Sequence, residues 1–233
     1  MSLFLQQELN ETSAQCVFDK MESKHIVKVL RKTTGDLLQI TNGKGWLFEA
    51  VIIEANAGNC IARIERKKHF PEPDYKLHLA VAPTKMNDRY EWFLEKATEI
   101  GISSIIPIRC EHSERKVIKP ERYEKIILSA VKQSQQYYLP ELKPLLTFEE
   151  YLTKAQGQKY IAHCENTPKN TLKEVLTPGT ETTIFIGPEG DFSVKEIQMA
   201  LQHGCIPVSL GNHRLRTETA AVVACHSVAF INA

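Results

Sequence analysis

No two cysteines here are spaced C-x-x-C; the 6 cysteines of this 233-residue chain stand singly. That argues against a disulfide-stapled scaffold and the paired-thiol zinc modules, and leaves buried free thiols in a reducing, cytoplasmic setting as the expectation. An excess of charge of one sign is also missing. The 29 Lys and Arg face 28 Asp and Glu, a net charge of +1, so any contact with nucleic acid has to come from local clusters. Long hydrophobic runs are lacking: the longest, TAAVVACHSVAFI, is too short and too interrupted to span a bilayer and reads as a core helix. The start, MSLFLQQELNE, turns polar within a few residues, unlike a secretion signal.

The familiar cofactor and nucleophile signatures are absent as well. There is no GxxxxGKS/T, no GxGxxG after a strand, no HExxH and no GxSxG. These absences speak against a P-loop nucleotidase, an ordinary dinucleotide-binding dehydrogenase, a zinc protease and an α/β-hydrolase. Folding could draw together His163-Cys164, Cys225-His226 and Cys110 with His112. Adjacent side chains point to different faces, however, and no metal is expected.

What is present divides near ERKKHFPEPDYK. Before it, short β-branched or alternating runs (CVFD, LLQIT, WLFEAVIIEA, CIARIER) surround one helical stretch, SKHIVKVLR, and NGKG marks a hairpin. A small β-rich barrel or sandwich over residues 1–70 is predicted, with Pro71 and Pro73 as a stiff linker. From 74 to 233 strands alternate with helices: KLHLAVA, RYEWFLEKATEIG, SIIPI, PERYEKIILSAVKQSQ, KYIAHC, TTIFI, SVKEIQMALQHG, IPVSLG and TETAAVVACHSVAF. Pro120 opens one helix, and Ser193 with Glu196 has capping-box spacing for another. Such alternation predicts an α/β domain with a parallel sheet covered on both faces.

Ligands of open α/β sheets bind beyond the carboxyl ends of the strands, and two of those ends are unusual. TTIFI runs into GPEGDFS, a rigid proline between two glycines with a carboxylate beside it. Taken alone this is equally a tight turn. IPVSLG runs into NHRLRTETAA, a short loop with two arginines before a helix whose first turn carries hydroxyls, a carboxylate and free N–H groups. Following consecutive strands, the two bends are expected side by side around one flat ligand.

FIGPEGDFS followed by LGNHRLRTETAAV closely resembles the paired signatures of the 16S ribosomal RNA (uracil-N3)-methyltransferase family, S-adenosylmethionine enzymes of the SPOUT class. HIVKVLR, EWFLEKATEIGI, SERKVIK and LPEL extend the resemblance over nearly the whole chain. Asp191 and Phe192 depart from the Gly and Leu usual in the family, and Gln136 stands where Arg is common. The resemblance implies a PUA-like RNA-binding barrel over 1–70, then a SPOUT methyltransferase domain over 74–233 with a C-terminal trefoil knot, in a homodimer. It also implies methylation of uridine N3 in 16S ribosomal RNA or the small ribosomal subunit, at U1498. Carried over by motif, S-adenosylmethionine is expected against Ile186, Gly187, Pro188, Glu189, Gly190, Leu210, Gly211, Leu215, Thr217, Thr219 and Ala220. In that picture Gly187 and Gly190 bare main chain to the cofactor. Another RNA base as target, or a catalytically silent RNA-binding assembly protein, stay open.

Transfer to uracil N3 needs an in-line acceptor, removal of the N3 proton and a fixed charge opposite the ring anion. By position, Arg216 is the candidate cation, and Glu218 or Glu189 the candidate base. Phosphate contacts are expected from Lys24, Lys28, Arg31 and Lys32, continued by Lys85, Arg89 and Arg115. Arg63, Arg66, Lys67 and Lys68 form a second basic set.

Overall fold

A computed structural model describes residues 2–233. Two compact units divide the chain: Met1–Glu72 with Val131–Leu139, and Pro73–Ala130 with Pro140–Ala233.

The first unit carries β1 (Leu3–Leu5), β2 (Gln15–Val17), α1 (Lys20–Lys24), β3 (Leu37–Thr41), β4 (Trp46–Glu54) and β5 (Ile61–His69). Their order is β1-β3-β4-β5-β2, parallel between β1 and β3 and antiparallel elsewhere. Register shifts in the β4–β5 pair after Glu49 and Ile52 add twist. The mixed sheet wraps a core that includes Phe4, Phe18, Ile26, Ile40, Phe48 and Ile52. The helix expected over SKHIVKVLR starts earlier, because the Asp19 carboxylate accepts from the Glu22 N–H at 2.7 Å and caps α1; a wider turn over His25–Val29 continues it.

NGKG is the predicted hairpin between β3 and β4, with Gly45 at φ 87°. It leans on the late segment: the Gly45 N–H donates to Tyr137 O at 2.9 Å, Leu139 N–H to Gly43 O at 2.9 Å, and the Tyr138 hydroxyl to Phe70 O at 2.7 Å. A division into 1–70 and 74–233 does not contain this return, which links residues about ninety positions apart along the chain.

The second unit begins with β6 (Lys76–Val81), α2 (Asn87–Ile100), β7 (Ser104–Arg109) and α3 (Pro120–Ser134), whose last residues from Val131 belong to the first unit. Then come β8 (Glu141–Leu142), β9 (Leu146–Thr147), α4 (Phe148–Leu152), β10 (Gln158–Ala162), β11 (Asn170–Thr171), α5 (Leu172–Val175) and β12 (Glu181–Ile186). Last are α6 (Val194–Gln202), β13 (Ile206–Ser209) and α7 (Thr217–Ile231). Every ladder is parallel, in the order β11-β13-β10-β12-β6-β7-β8, with β9 also on β7. β7 and β12 are buried along nearly their whole length, as strands covered on both faces must be. Phe148, Ile161, Phe185, Phe192 and Ile197 lead one core cluster, while α7 packs on α2, β6 and β12. The short β8, β9, α4, β11 and α5 are elements too short for hydrophobic periodicity to reveal.

Candidate active site

β12 and β13 are not neighbours; β10 lies between them. The two bends meet all the same. The Thr217 hydroxyl, buried at the start of α7, donates to the Gly187 carbonyl at 3.0 Å and ties the end of one bend to the start of the other. Over this tie open two cavities, of about 330 and 390 Å³, within the usual range for ligand sites. They share Ala162, Cys164, Arg214, Leu215 and Ala220 and so form one bent slot.

Ile186, Gly187, Pro188, Glu189, Arg216 and Thr217 line the first cavity, Leu210 and Gly211 the second, and Leu215 and Ala220 both. Gly190 and Thr219 line neither. The glycines of GPEG also sit close against the protein's own side chains. A Cβ on Gly187 would lie 3.0 Å from the Phe192 ring, and one on Gly190 3.1 Å from His112 Cβ. Their bareness makes room for the protein's own side chains. Gly211, at φ 139°, has open space where a Cβ would stand.

The carboxylates at the slot also take part in the fold. Glu189 Oε1 accepts from the Lys85 N–H at 2.9 Å. Asp191, at φ 63°, accepts from the Cys164 N–H at 2.7 Å and the Phe192 N–H at 2.9 Å. That left-handed backbone explains why glycine suits this position. Glu218 is buried in the first turn of α7; its Oε2 has no hydrogen-bond partner, and Oε1 lies 3.9 Å from Arg89 Nε. The helix N-terminus and Arg89 offset the loss of solvation.

Among the expected RNA-binding residues, Arg89 lines the first cavity. Arg115 is taken up internally: Nε donates to Thr84 O at 2.8 Å and a terminal nitrogen to Lys85 O at 2.6 Å. Lys85 pairs with Glu114 at 2.8 Å. In the first unit Lys24, Lys28 and Arg31 are exposed and Lys32 half-buried on the segment that carries α1 and the turns after it. Arg63 and Arg66 pair with Glu65 and Glu49.

The end of β10 is the part of the slot that sequence reasoning missed. Ala162, His163 and Cys164 line it because β10 runs between the two signature strands. His163 is 8% exposed with Nδ1 unpartnered. Burial, then Lys169, holds its pKa below the ordinary 6.5, against the opposing pull of Asp191 and Glu165. All six cysteines are free and only Cys164 is exposed; burial pushes Cys16 and Cys225 up to about 12. Among the described residues no group of three or more His, Cys, Asp or Glu could hold a metal ion, and no helix is long and apolar enough to cross a membrane.

The parallel sheet with its bent slot defines a class, and comparison with known proteins identifies it as that of the RNA methyltransferases. A family model described as RNA methyltransferase domain matches residues 71–229, and one described as RNA methyltransferase PUA domain matches residues 18–65. Ribosomal RNA small subunit methyltransferase E of Buchnera aphidicola subsp. Acyrthosiphon pisum is 34% identical, covering 90% of this chain and 86% of its own; that of Rickettsia conorii is 30% identical over 86% and 83%. Among solved structures, a "probable rRNA-methyltransferase from Porphyromonas gingivalis" superposes with TM-score 0.92 at 36% identity, covering 100% of this chain and 98% of that one. A Legionella pneumophila structure solved with bound cofactor SAM superposes with TM-score 0.86 at 28% identity, over 97% and 96%. The chain belongs to the ribosomal RNA small subunit methyltransferase E family.

Proposed function

We propose that this chain methylates N3 of a uridine in 16S ribosomal RNA with S-adenosylmethionine bound in the bent slot. The observation that carries the reading is the Thr217–Gly187 tie beneath two continuous cavities, which makes one ligand site from two distant bends. The donor set fits the cofactor: Ile186, Leu210, Leu215 and Ala220 offer apolar walls for a purine, Gly211 leaves open space where a side chain would stand, and the free N–H groups of α7 offer polar main chain. The bound cofactor supplies an activated methyl group.

The protein's own residues do the rest. Arg216, exposed on the wall of the first cavity, stabilises the uridinate through a ring carbonyl oxygen. The N3 proton passes to a carboxylate, Glu189 or Glu218. Glu189 is exposed on the cavity wall, whereas Glu218 is covered beside Arg89. The uridine leaves its stack to reach the slot. Lys24, Lys28, Arg31 and Lys32 contact phosphates, and the U1498 position is the target that the family resemblance implies.

The proposed homodimer is supported by α7, which is mostly apolar beyond its first turn and leaves Val222, Val223, His226 and Phe230 on one face, with Phe230 72% exposed. A trefoil knot is supported by the strand order, in which β13 enters between the earlier β10 and β11. The proposed location is the cytoplasm.

Two measurements test the reading. Calorimetric titration with S-adenosylmethionine should show one site per chain. Nucleoside mass spectrometry of 16S ribosomal RNA from a deletion strain should show loss of one 3-methyluridine, restored by the gene. Cofactor binding without a lost methyl group would indicate another target base, and no binding at all would indicate a silent assembly protein.

A further inference from the structure

The mouth of the slot carries charge in an asymmetric way. Its acidic side chains are engaged from within: Glu189 by the Lys85 N–H, Asp191 by two N–H groups, and Glu218 buried beside Arg89. Two of its cations are not matched in this way. Arg214 lines both cavities, is exposed and has no carboxylate partner among the described residues. Lys169 lines the second cavity, and its ammonium donates to the Glu165 carbonyl, with no carboxylate partner among the described residues. A nucleotide drawn out of its stack brings its two flanking phosphates to the rim of whatever pocket receives the base.

We infer that Arg214, with Lys169, holds a backbone phosphate of the substrate RNA at the mouth of the slot, beside the nucleotide to be methylated. The inference rests on the reading of the chain as an RNA methyltransferase and adds a contact at the slot to those proposed on the first unit. The local field agrees with it. Burial and Asp191 raise the Cys164 thiol, while Arg214 and Lys169 both pull it down; Lys169 also acts on His163. An anion placed there meets two cations already close enough to act on their neighbours. Arginine suits the role, since its planar fork takes two phosphate oxygens at once.

The test uses the full chain and 16S ribosomal RNA transcribed in vitro. Binding of wild type, Arg214→Gln, Lys169→Gln and, as a distant charge control, Lys125→Gln is measured between 50 and 200 mM KCl. S-adenosylmethionine affinity is measured by calorimetry on the same proteins. Each phosphate contact contributes about 0.7–0.9 to the slope of log affinity against log salt, so the deficit of either slot variant should shrink about threefold across that range. Lys125→Gln should keep the wild-type slope, and cofactor affinity should stay within about twofold. An unchanged slope in Arg214→Gln overturns the proposal. So does a loss of cofactor affinity of tenfold or more, which would assign the guanidinium to the cofactor carboxylate. Failure of wild type to methylate both this RNA and small ribosomal subunits carrying unmethylated 16S ribosomal RNA would refute the enzymatic reading, while the slopes would still decide the phosphate contact.

Discussion

Replacing Gly187 by alanine separates two uses of a glycine that motif reading cannot tell apart. The added methyl would stand 3.0 Å from Phe192 Cδ2, 3.1 Å from Cε2 and 3.2 Å from the Phe192 backbone nitrogen, so the ring must retreat by several tenths of an ångström. It has little room to do so. Phe192 is 3% exposed, packs in the core with Phe148 at 5.2 Å between ring centroids, and has its backbone nitrogen held by Asp191. Overpacking of this kind costs about 1–3 kcal/mol, offset by about 0.4–1 kcal/mol from the stiffer unfolded chain. A net loss of about 0–2.6 kcal/mol lowers the melting temperature by up to roughly 10 °C for a domain of this size. Gly190→Ala meets an exposed His112 at 3.1 Å and should lose less. Adding Phe192→Leu to Gly187→Ala should be clearly less than additive, with a coupling of at least ~0.5 kcal/mol. Thermal melts and cofactor calorimetry on the four variants decide. If Gly187→Ala melts with wild type yet loses cofactor affinity, the glycine bares main chain to the ligand and the packing account is wrong.

Arg216→Ala should cut methyl transfer by about 10²–10³ with cofactor affinity nearly intact, as removal of a transition-state donor does; single-turnover rates within a few-fold of wild type would remove Arg216 from that role. Asp191→Ala should be less stable than Asp191→Gly by about 1–2 kcal/mol, because only the former strains the left-handed backbone while both lose two N–H contacts; equal melting temperatures would dismiss strain there. His163 has a folded-state pKa below 6.5, so as the pH falls below about 6.5 the unfolded chain takes up its proton first and stability declines. His163→Gln should flatten that part of the stability profile. The loss due to Asp36, Glu150 and Glu174, whose pKa values their hydrogen bonds to Thr33, Thr147 and Thr171 depress, should persist and fall at lower pH, through the carboxylate range near 4.

The long strands and helices of the second unit were legible because each carries enough apolar residues at one period to declare itself. α2, α6 and α7 form where the periodicity and caps predict, and the hairpin between β3 and β4 follows from NGKG. β8, β9 and β11, of two residues each, hold no period at all. α4 had a signal that went unused: Thr147 and Glu150 stand at capping-box spacing and exchange both hydrogen bonds. In the slot, the two bends were visible from their turn chemistry. The contribution of β10 was not, because KYIAHC ends in ordinary residues and only strand order brings His163 and Cys164 between the bends. The role of Phe192 in filling the space above Gly187 is likewise a property of packing that spacing does not encode.

Synthesis of the chain meets a constraint set by Val131–Leu139. Tyr137, Tyr138 and Leu139 support the hairpin of the β-rich unit, so these contacts are missing when its first 72 residues leave the ribosome. Its completion waits until β6, α2, β7 and all of α3 have emerged, and a fragment cut at the proline linker would expose the surface where Phe70 now stacks on Tyr137. The unit expected to fold first from the amino terminus is thus the one obliged to wait, which exposes a half-made sheet to chaperones or to other nascent chains in the interval.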